Sequence, residues 1–115
     1  MSYKSEFPNY DGDFYCPKGF VDNSWHNDTM PRAMKRYVKN DIELEISIWQ
    51  DYVDEFQREM EGECRYTFEI EVNGDPIFCH NTDDLGIIKS FVENVNDIDF
   101  YYHWKIDVGE SIVGR

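Results

Sequence analysis

Residues 66–80 read YTFEIEVNGDPIFCH, and the architecture of the chain follows from how this stretch is read. Phe68, Ile70 and Val72 alternate with Thr67, Glu69 and Glu71, the two-residue period of a strand with one face buried. Asn73-Gly74 comes next, the dipeptide best suited to a type I′ hairpin turn, in which both central residues need positive φ. The spacing predicts a hairpin with Val72 facing Asp75, Ile70 facing Ile77 and Phe68 facing Cys79 on the apolar side. Glu71, Glu69 and Thr67 then face Pro76, Phe78 and His80 on the other side. Pro76 has no backbone donor, so the returning strand is expected to be short or to lie at a sheet edge.

Upstream, Ile42, Leu44, Ile46 and Ile48 alternate with Glu43, Glu45, Ser47 and Trp49, a second half-buried strand that we extend to about Val53, with a loop through Gly62. Trp49, Tyr52, Val53, Phe56 and Met60 also fall at helical spacing, the alternative for 49–60. Before this strand, Thr29 and Pro31 form a helix-start signal, and 32–39 is expected to be a short basic helix. It holds Arg32, Lys35, Arg36 and Lys39, four of the 11 positive charges. Its expected role is to neutralise the acidic body from within, with a second partner site as the alternative. Residues 1–31 fit no period but carry Tyr3, Phe7, Tyr10, Phe14, Tyr15, Phe20 and Trp25, and are expected to form an irregular arm laid over the core. Trp25 is expected to anchor it.

Downstream, Thr82 is a good N-cap, Asp83 and Asp84 suit the positive end of a helix dipole, and Leu85, Ile88, Phe91, Val92 and Val95 form an apolar stripe. This predicts an amphipathic helix over 83–95. A last strand is expected at 99–107, with Phe100, Tyr102, Trp104 and Ile106 on one side. The sum is an α+β fold in a single domain, 1–115: an arm (1–31), a short helix (32–39), and a core (41–107) of about four antiparallel strands with one helix packed on them.

Charge narrows the function. The chain has 24 acidic and 11 basic residues, a net −13, with 17% aromatics. A field of that sign repels polyanions, so direct binding to nucleic acid or to an anionic membrane surface is not expected. No apolar run approaches the ~20 residues that span a bilayer, and the first residues, MSYKSEFPNYDGD, do not resemble a secretory leader, so a cytoplasmic protein is expected. Cys16, Cys64 and Cys79 are an odd set without a CxxC pair, which argues against a disulfide framework and a zinc knuckle.

Several constellations bear on chemistry. Cys16, His26 and Asp28 are the residue types of a nucleophilic set, but no glycine-flanked turn supports them. Cys16, Cys64, Cys79, His26, His80 and His103 are ligand types at poor spacing, and Cys79 and His80, adjacent on a strand, point to opposite faces. Asn9, Asp11 and Asp13 resemble the opening of a calcium loop, yet Phe14 and Phe20 occupy positions that need Gly and Glu. No glycine-rich phosphate loop is present, Gly109 and Gly114 standing alone. Neither cofactor nor catalysis is therefore expected; a small Cys/His enzyme or metal-binding protein is the alternative from another class.

The most coherent feature is acidic. Segment 41–75 has twelve acids against two bases, and Glu43, Glu45, Glu69 and Glu71 are expected to share one sheet face with Trp49 and Phe78. Same-face carboxylates repeat at roughly 6.8 Å, about two base steps of one DNA strand. The bland role of such a face is solubility and protection from edge pairing. The functional role is docking on a basic protein that handles nucleic acid, with Trp25 and His26 as further contacts. Small acidic composition of this kind is similar to that of phage-encoded anti-CRISPR and other DNA-mimic inhibitors, and of the immunity partners of nuclease toxins.

Overall fold

The computed structural model describes residues 2–39, 41–58 and 64–95; the strand expected at 99–107 lies outside them. The core of the architecture is a five-stranded antiparallel sheet in sequential order: β1 (Val21–Asp22), β2 (Arg32–Lys39), β3 (Ile42–Gln50), β4 (Tyr66–Val72) and β5 (Asp75–Thr82). A short helix, α1 (Tyr3–Glu6), precedes it, and α2 (Leu85–Val95) follows. The fold is α+β, with five strands among the described residues where about four were expected.

The central strand sets the layers. Leu44, Ile46 and Ile48 are fully buried, each contributing about 1.5–3 kcal/mol by leaving water. Their cross-strand neighbours Val72, Ile70 and Phe68 on β4 and Tyr37, Lys35 and Ala33 on β2 line the same inner face. Ile88 and Val92 of α2 close the core over it, with Leu85 and Phe91 at its margin. The apolar stripe read from the sequence is thus the packed one. The helix begins two residues later than expected, because Thr82 is still the last residue of β5, opposite Tyr66. Its hydroxyl accepts from the Asp84 N–H (3.0 Å), and Asp84 Oδ1 in turn accepts from the Gly86 N–H (2.8 Å), so Asp84 caps the helix.

The expected basic helix at 32–39 is instead the eight-residue strand β2, in register with β3 from Arg32↔Trp49 to Lys39↔Ile42. Helical start signals weigh a few tenths of a kcal/mol to about one; a full ladder beside the most strongly alternating strand outweighs them. The strand β3 ends at Gln50 rather than about Val53, and a 3-10 turn at Glu55–Gln57 sits in the loop that follows. Gln50 is completely buried, and its amide accepts from the Tyr15 N–H (2.7 Å) and donates to the Tyr15 carbonyl (2.6 Å), so its side chain holds the arm as a neighbouring strand would.

The arm does lie over the core: Phe20 is in it, and Phe14 and Tyr15 pack against it. Tyr3 stacks on Phe14 (4.7 Å), and Tyr10 meets Tyr52 (5.6 Å). Asp11 accepts from the Val53 and Asp54 N–H groups (2.8 and 2.9 Å). Trp25, however, is 44% exposed, so the anchors are the phenylalanines and tyrosines and not this indole.

The hairpin forms at Asn73-Gly74, with φ of 48° and 87°, the left-handed values its turn type demands. Asn73 also ties the turn to β3: its N–H donates to the Glu43 carbonyl and its Oδ1 accepts from the Glu43 N–H, both at 2.8 Å. The expected register holds for Val72↔Asp75 and Glu71↔Pro76 and then breaks. Ile70 faces Phe78, Glu69 faces Cys79 and Phe68 faces His80. Ile77 is the extra residue of a β-bulge beside the donor-less Pro76. Every later side chain of β5 is consequently on the opposite face from the one expected.

Two measurements check this arrangement. Asn73→Ala is expected to cost about 1–2 kcal/mol in urea unfolding, through the lost bond to Glu43 and the left-handed backbone; Asn73→Gly, which keeps the turn, should cost less. In a Cys16→Ser, Cys64→Ser background, an aromatic disulfide reagent should modify Cys79 in the native protein at nearly the unfolded rate. A protected thiol would restore the unbulged register.

Candidate functional site

The site is the outer face of the sheet, opposite α2. The register places Glu43, Glu45, Ser47 and Trp49 of β3 there, together with Thr67, Glu69 and Glu71 of β4. Sequence reasoning anticipated the four glutamates and Trp49 on one face. Glu45 stands directly opposite Glu71, and Ser47 opposite Glu69. Ser47 is 1% exposed because a short side chain here is overtopped by its neighbours Met34 and Glu69.

The strand identity of 32–39 adds what the sequence reading missed. Arg32, Met34, Arg36 and Val38 project on this same face, so two guanidinium groups enter the acidic field. Arg36 Nε lies 2.9 Å from Glu43 Oε1, and its Nη2 3.4 Å from Glu45 Oε2. Arg32 Nη1 is 3.2 Å from Glu45 Oε1, while its guanidinium lies 4.8 Å from the Trp49 ring centroid, a cation–π contact. Two signals were present in the sequence: the alternation of Arg32, Met34 and Arg36 with Ala33, Lys35 and Tyr37, and the turn-forming pair Asn40-Asp41 before β3. The expected neutralising role of 32–39 thus operates side chain to side chain, on the face itself.

The arginines serve β3 and leave the β4 carboxylates to each other. Glu69 and Glu71 are two apart on one strand, and the side-chain hydrogen bond from Glu71 to Glu69 is the main reason that the Glu71 carboxyl is pushed up to about 7. Partial burial and the charges of Glu69 and Glu45 act in the same direction; Arg32 opposes them. Neighbouring carboxylates disfavour each other's charged form, which is the direction of this shift.

Phe78 and His80 do not belong to this face. The bulge turns both toward α2, where Phe78 packs edge-on against Phe68 (6.2 Å) and Phe91 (5.5 Å) and His80 against Phe91 (5.3 Å). Cys79, expected in the core opposite Phe68, is exposed opposite Glu69. Trp25 and His26 form a separate patch beside α1: their rings are 5.7 Å apart, and His26 Nδ1 is 3.1 Å from Glu6 Oε1. That bond from His26 holds the Glu6 carboxyl below its usual range.

The nucleophilic set gains no support from its geometry. Partial burial and the Asp22 carboxylate push the Cys16 thiol up, opposite to what a nucleophilic thiolate needs, and the His26 ring is engaged by Glu6. Among the described residues no three His, Cys, Asp or Glu side chains converge to hold a metal ion; His103 lies outside them. No helix among the described residues is long and apolar enough to cross a membrane. Comparison with protein-family models, curated proteins and solved structures finds no match to this chain, so the functional reading rests on the residues themselves.

The raised Glu71 carboxyl has a consequence for stability. The folded Glu71 carboxyl binds its proton more tightly than the unfolded one, so its contribution is fully present below the unfolded value and is lost as pH rises to about 7. Glu71→Gln carries no such charge. Its melting temperature relative to the parent protein should rise by a few degrees between pH 4.5 and pH 8, measured by scanning calorimetry. A difference independent of pH would mean that Glu71 titrates as an ordinary carboxylate.

Proposed function

We propose that the protein is a small, non-catalytic binding module whose outer sheet face docks on a cationic site of another protein. The specific form of this reading is an inhibitor of a basic nucleic-acid-binding protein, of the anti-CRISPR or DNA-mimic kind, acting in the cytoplasm. The observation that carries it is the gathering of Glu43, Glu45, Glu69 and Glu71 on one face with Trp49 among them. Carboxylates in a chain of net −13 attract a basic surface over a Debye length and speed encounter. An aromatic held among them slows departure.

The ion pairs refine which part of the face acts. Glu43 and Glu45 are already matched by Arg36 and Arg32, so a docking cation gains most at Glu69 and Glu71, with Trp49 beside them on β3. Trp25 and His26, on their separate patch, are secondary contacts in this reading, and Phe78, packed toward α2, is not proposed again for the acidic face.

Replacing all four glutamates would leave Arg32 and Arg36 unmatched and reverse the sign of the face, so Glu69→Gln/Glu71→Gln is the better test. Immobilised protein is exposed to lysate of its source cells at low salt, and bound proteins are released with rising salt and identified by mass spectrometry. One basic nucleic-acid-binding protein should elute with salt, and the double variant should hold it about tenfold or more weakly, the loss of roughly 1.4 kcal/mol or more. A captured nuclease toxin would specify an immunity protein instead. Equal retention by parent and variant would remove the acidic face from the function.

A further inference from the structure

We propose that the Asn73-Gly74 turn is a modification site, a point of spontaneous deamidation that the folded hairpin holds shut and that opening of the hairpin exposes. The inference concerns the covalent chain and does not depend on the docking function.

Asn73 is the only asparagine of the sequence followed by glycine. Glycine has no side chain to hinder its backbone nitrogen, so in an open chain this pair is the asparagine site best able to cyclise. The Gly74 nitrogen, giving up its proton, attacks the side-chain carbon Cγ of Asn73. The new C–N bond closes a five-membered succinimide, and the side-chain nitrogen leaves with a proton as ammonia. Water then opens the ring at one of its two carbonyls. Cleavage of the bond from Cγ to nitrogen leaves aspartate; cleavage of the bond from the Asn73 main-chain carbonyl to nitrogen leaves isoaspartate, whose backbone runs through Cγ. No oxidant or reductant takes part.

The barrier in the folded protein is one of conformation. Asn73 and Gly74 are both exposed, and a Cβ at Gly74 would meet nothing within 4 Å, so water reaches the pair. Positive φ at both residues, 48° and 87°, defines a type I′ turn, in which ψ of the first central residue is about +30°. Ring closure needs Asn73 Cβ and the Gly74 nitrogen almost eclipsed about the Cα–C bond, and at this ψ they are almost opposite. The side chain is held as well, since Asn73 Oδ1 accepts from the Glu43 N–H while the Asn73 N–H donates to the Glu43 carbonyl, both at 2.8 Å. Cyclisation therefore requires the turn to leave both its backbone conformation and β3. The two products differ in consequence. Aspartate suits a type I′ turn, and its carboxylate can accept from the Glu43 N–H as the amide does. Isoaspartate lengthens the backbone of the turn by one carbon, which a two-residue hairpin cannot absorb while keeping its register.

The test incubates the full chain at pH 8 in buffer and in guanidinium chloride. The peptide carrying Asn73 is followed by mass spectrometry, and enzymatic methylation of isoaspartate tells the two products apart. In denaturant, we expect Asn73 to deamidate ahead of every other asparagine; in the native protein the same reaction should be about tenfold or more slower, because it waits on opening. Leu44, fully buried and opposite Val72 at the stem of the turn, supplies the variant. Leu44→Ala should speed the native reaction severalfold through more frequent opening, yet match the parent in denaturant. Circular dichroism establishes that the variant is folded, and the comparison within the parent stands without it. Equal rates for the parent in buffer and in denaturant would overturn the inference. So would a native rate that the folded Leu44→Ala protein leaves unchanged, or deamidation in denaturant that bypasses Asn73.

Discussion

The structure turns on the register of β3 between its two neighbours. Burying Leu44, Ile46 and Ile48 against Ile70, Phe68 and α2 leaves no choice of pairing, because a one-residue slip would put these side chains in water and the glutamates in the core. That constraint brings Glu45 opposite Glu71. Like charges directly across a ladder are unfavourable by a fraction of a kcal/mol to about one. The core gain from the same register is several times larger, so the crowded acidic face is tolerated and its local repulsions are settled by other means.

Those means differ from strand to strand. On β3 the carboxylates are met by the arginines of β2, and Arg32 reaches Trp49 as well as Glu45. On β4 no ion pair is present among the described residues, and the Glu71 carboxyl is pushed up instead. One half of the face is thus an internally matched lattice of fixed charges, while the other half is titratable. A face kept acidic for solubility alone needs neither arrangement; alternating Lys and Glu would serve. The combination of matched arginines, a half-buried indole and an unmatched carboxyl pair resembles the mixed charge and aromatic character of a docking surface.

The β-bulge at Ile77 has consequences beyond local geometry. Without it, Phe78 would stand among the glutamates and Cys79 would fill the core. With it, Phe78 and His80 complete an aromatic group around Phe91 that seals α2 onto the edge of the sheet. On the outer face β5 places Pro76 opposite Glu71, Cys79 opposite Glu69 and Asn81 opposite Thr67. Pro76 lacks the N–H that a regular ladder would use, and the chain absorbs the gap by adding a residue.

Much of this was legible in the residues alone. The alternation in 42–49 and 66–72, the Asn73-Gly74 turn and the stripe Leu85, Ile88, Phe91 and Val92 determine the α+β class, the hairpin and the side on which four glutamates gather, because side-chain period and turn conformation are local properties. Three features were decided by the tertiary structure. Residues 32–39 carry helix-start signals but become a strand, since the ladder offered by β3 outweighs a weak local preference. Two arginines enter the acidic face as a result. The bulge reverses β5, because a missing donor at Pro76 acquires meaning against a partner strand and not along the sequence. The raised Glu71 carboxyl owes most to Glu69 on its own strand, but partial burial and the charges of Glu45 and Arg32, which only the assembled sheet brings near, also set it.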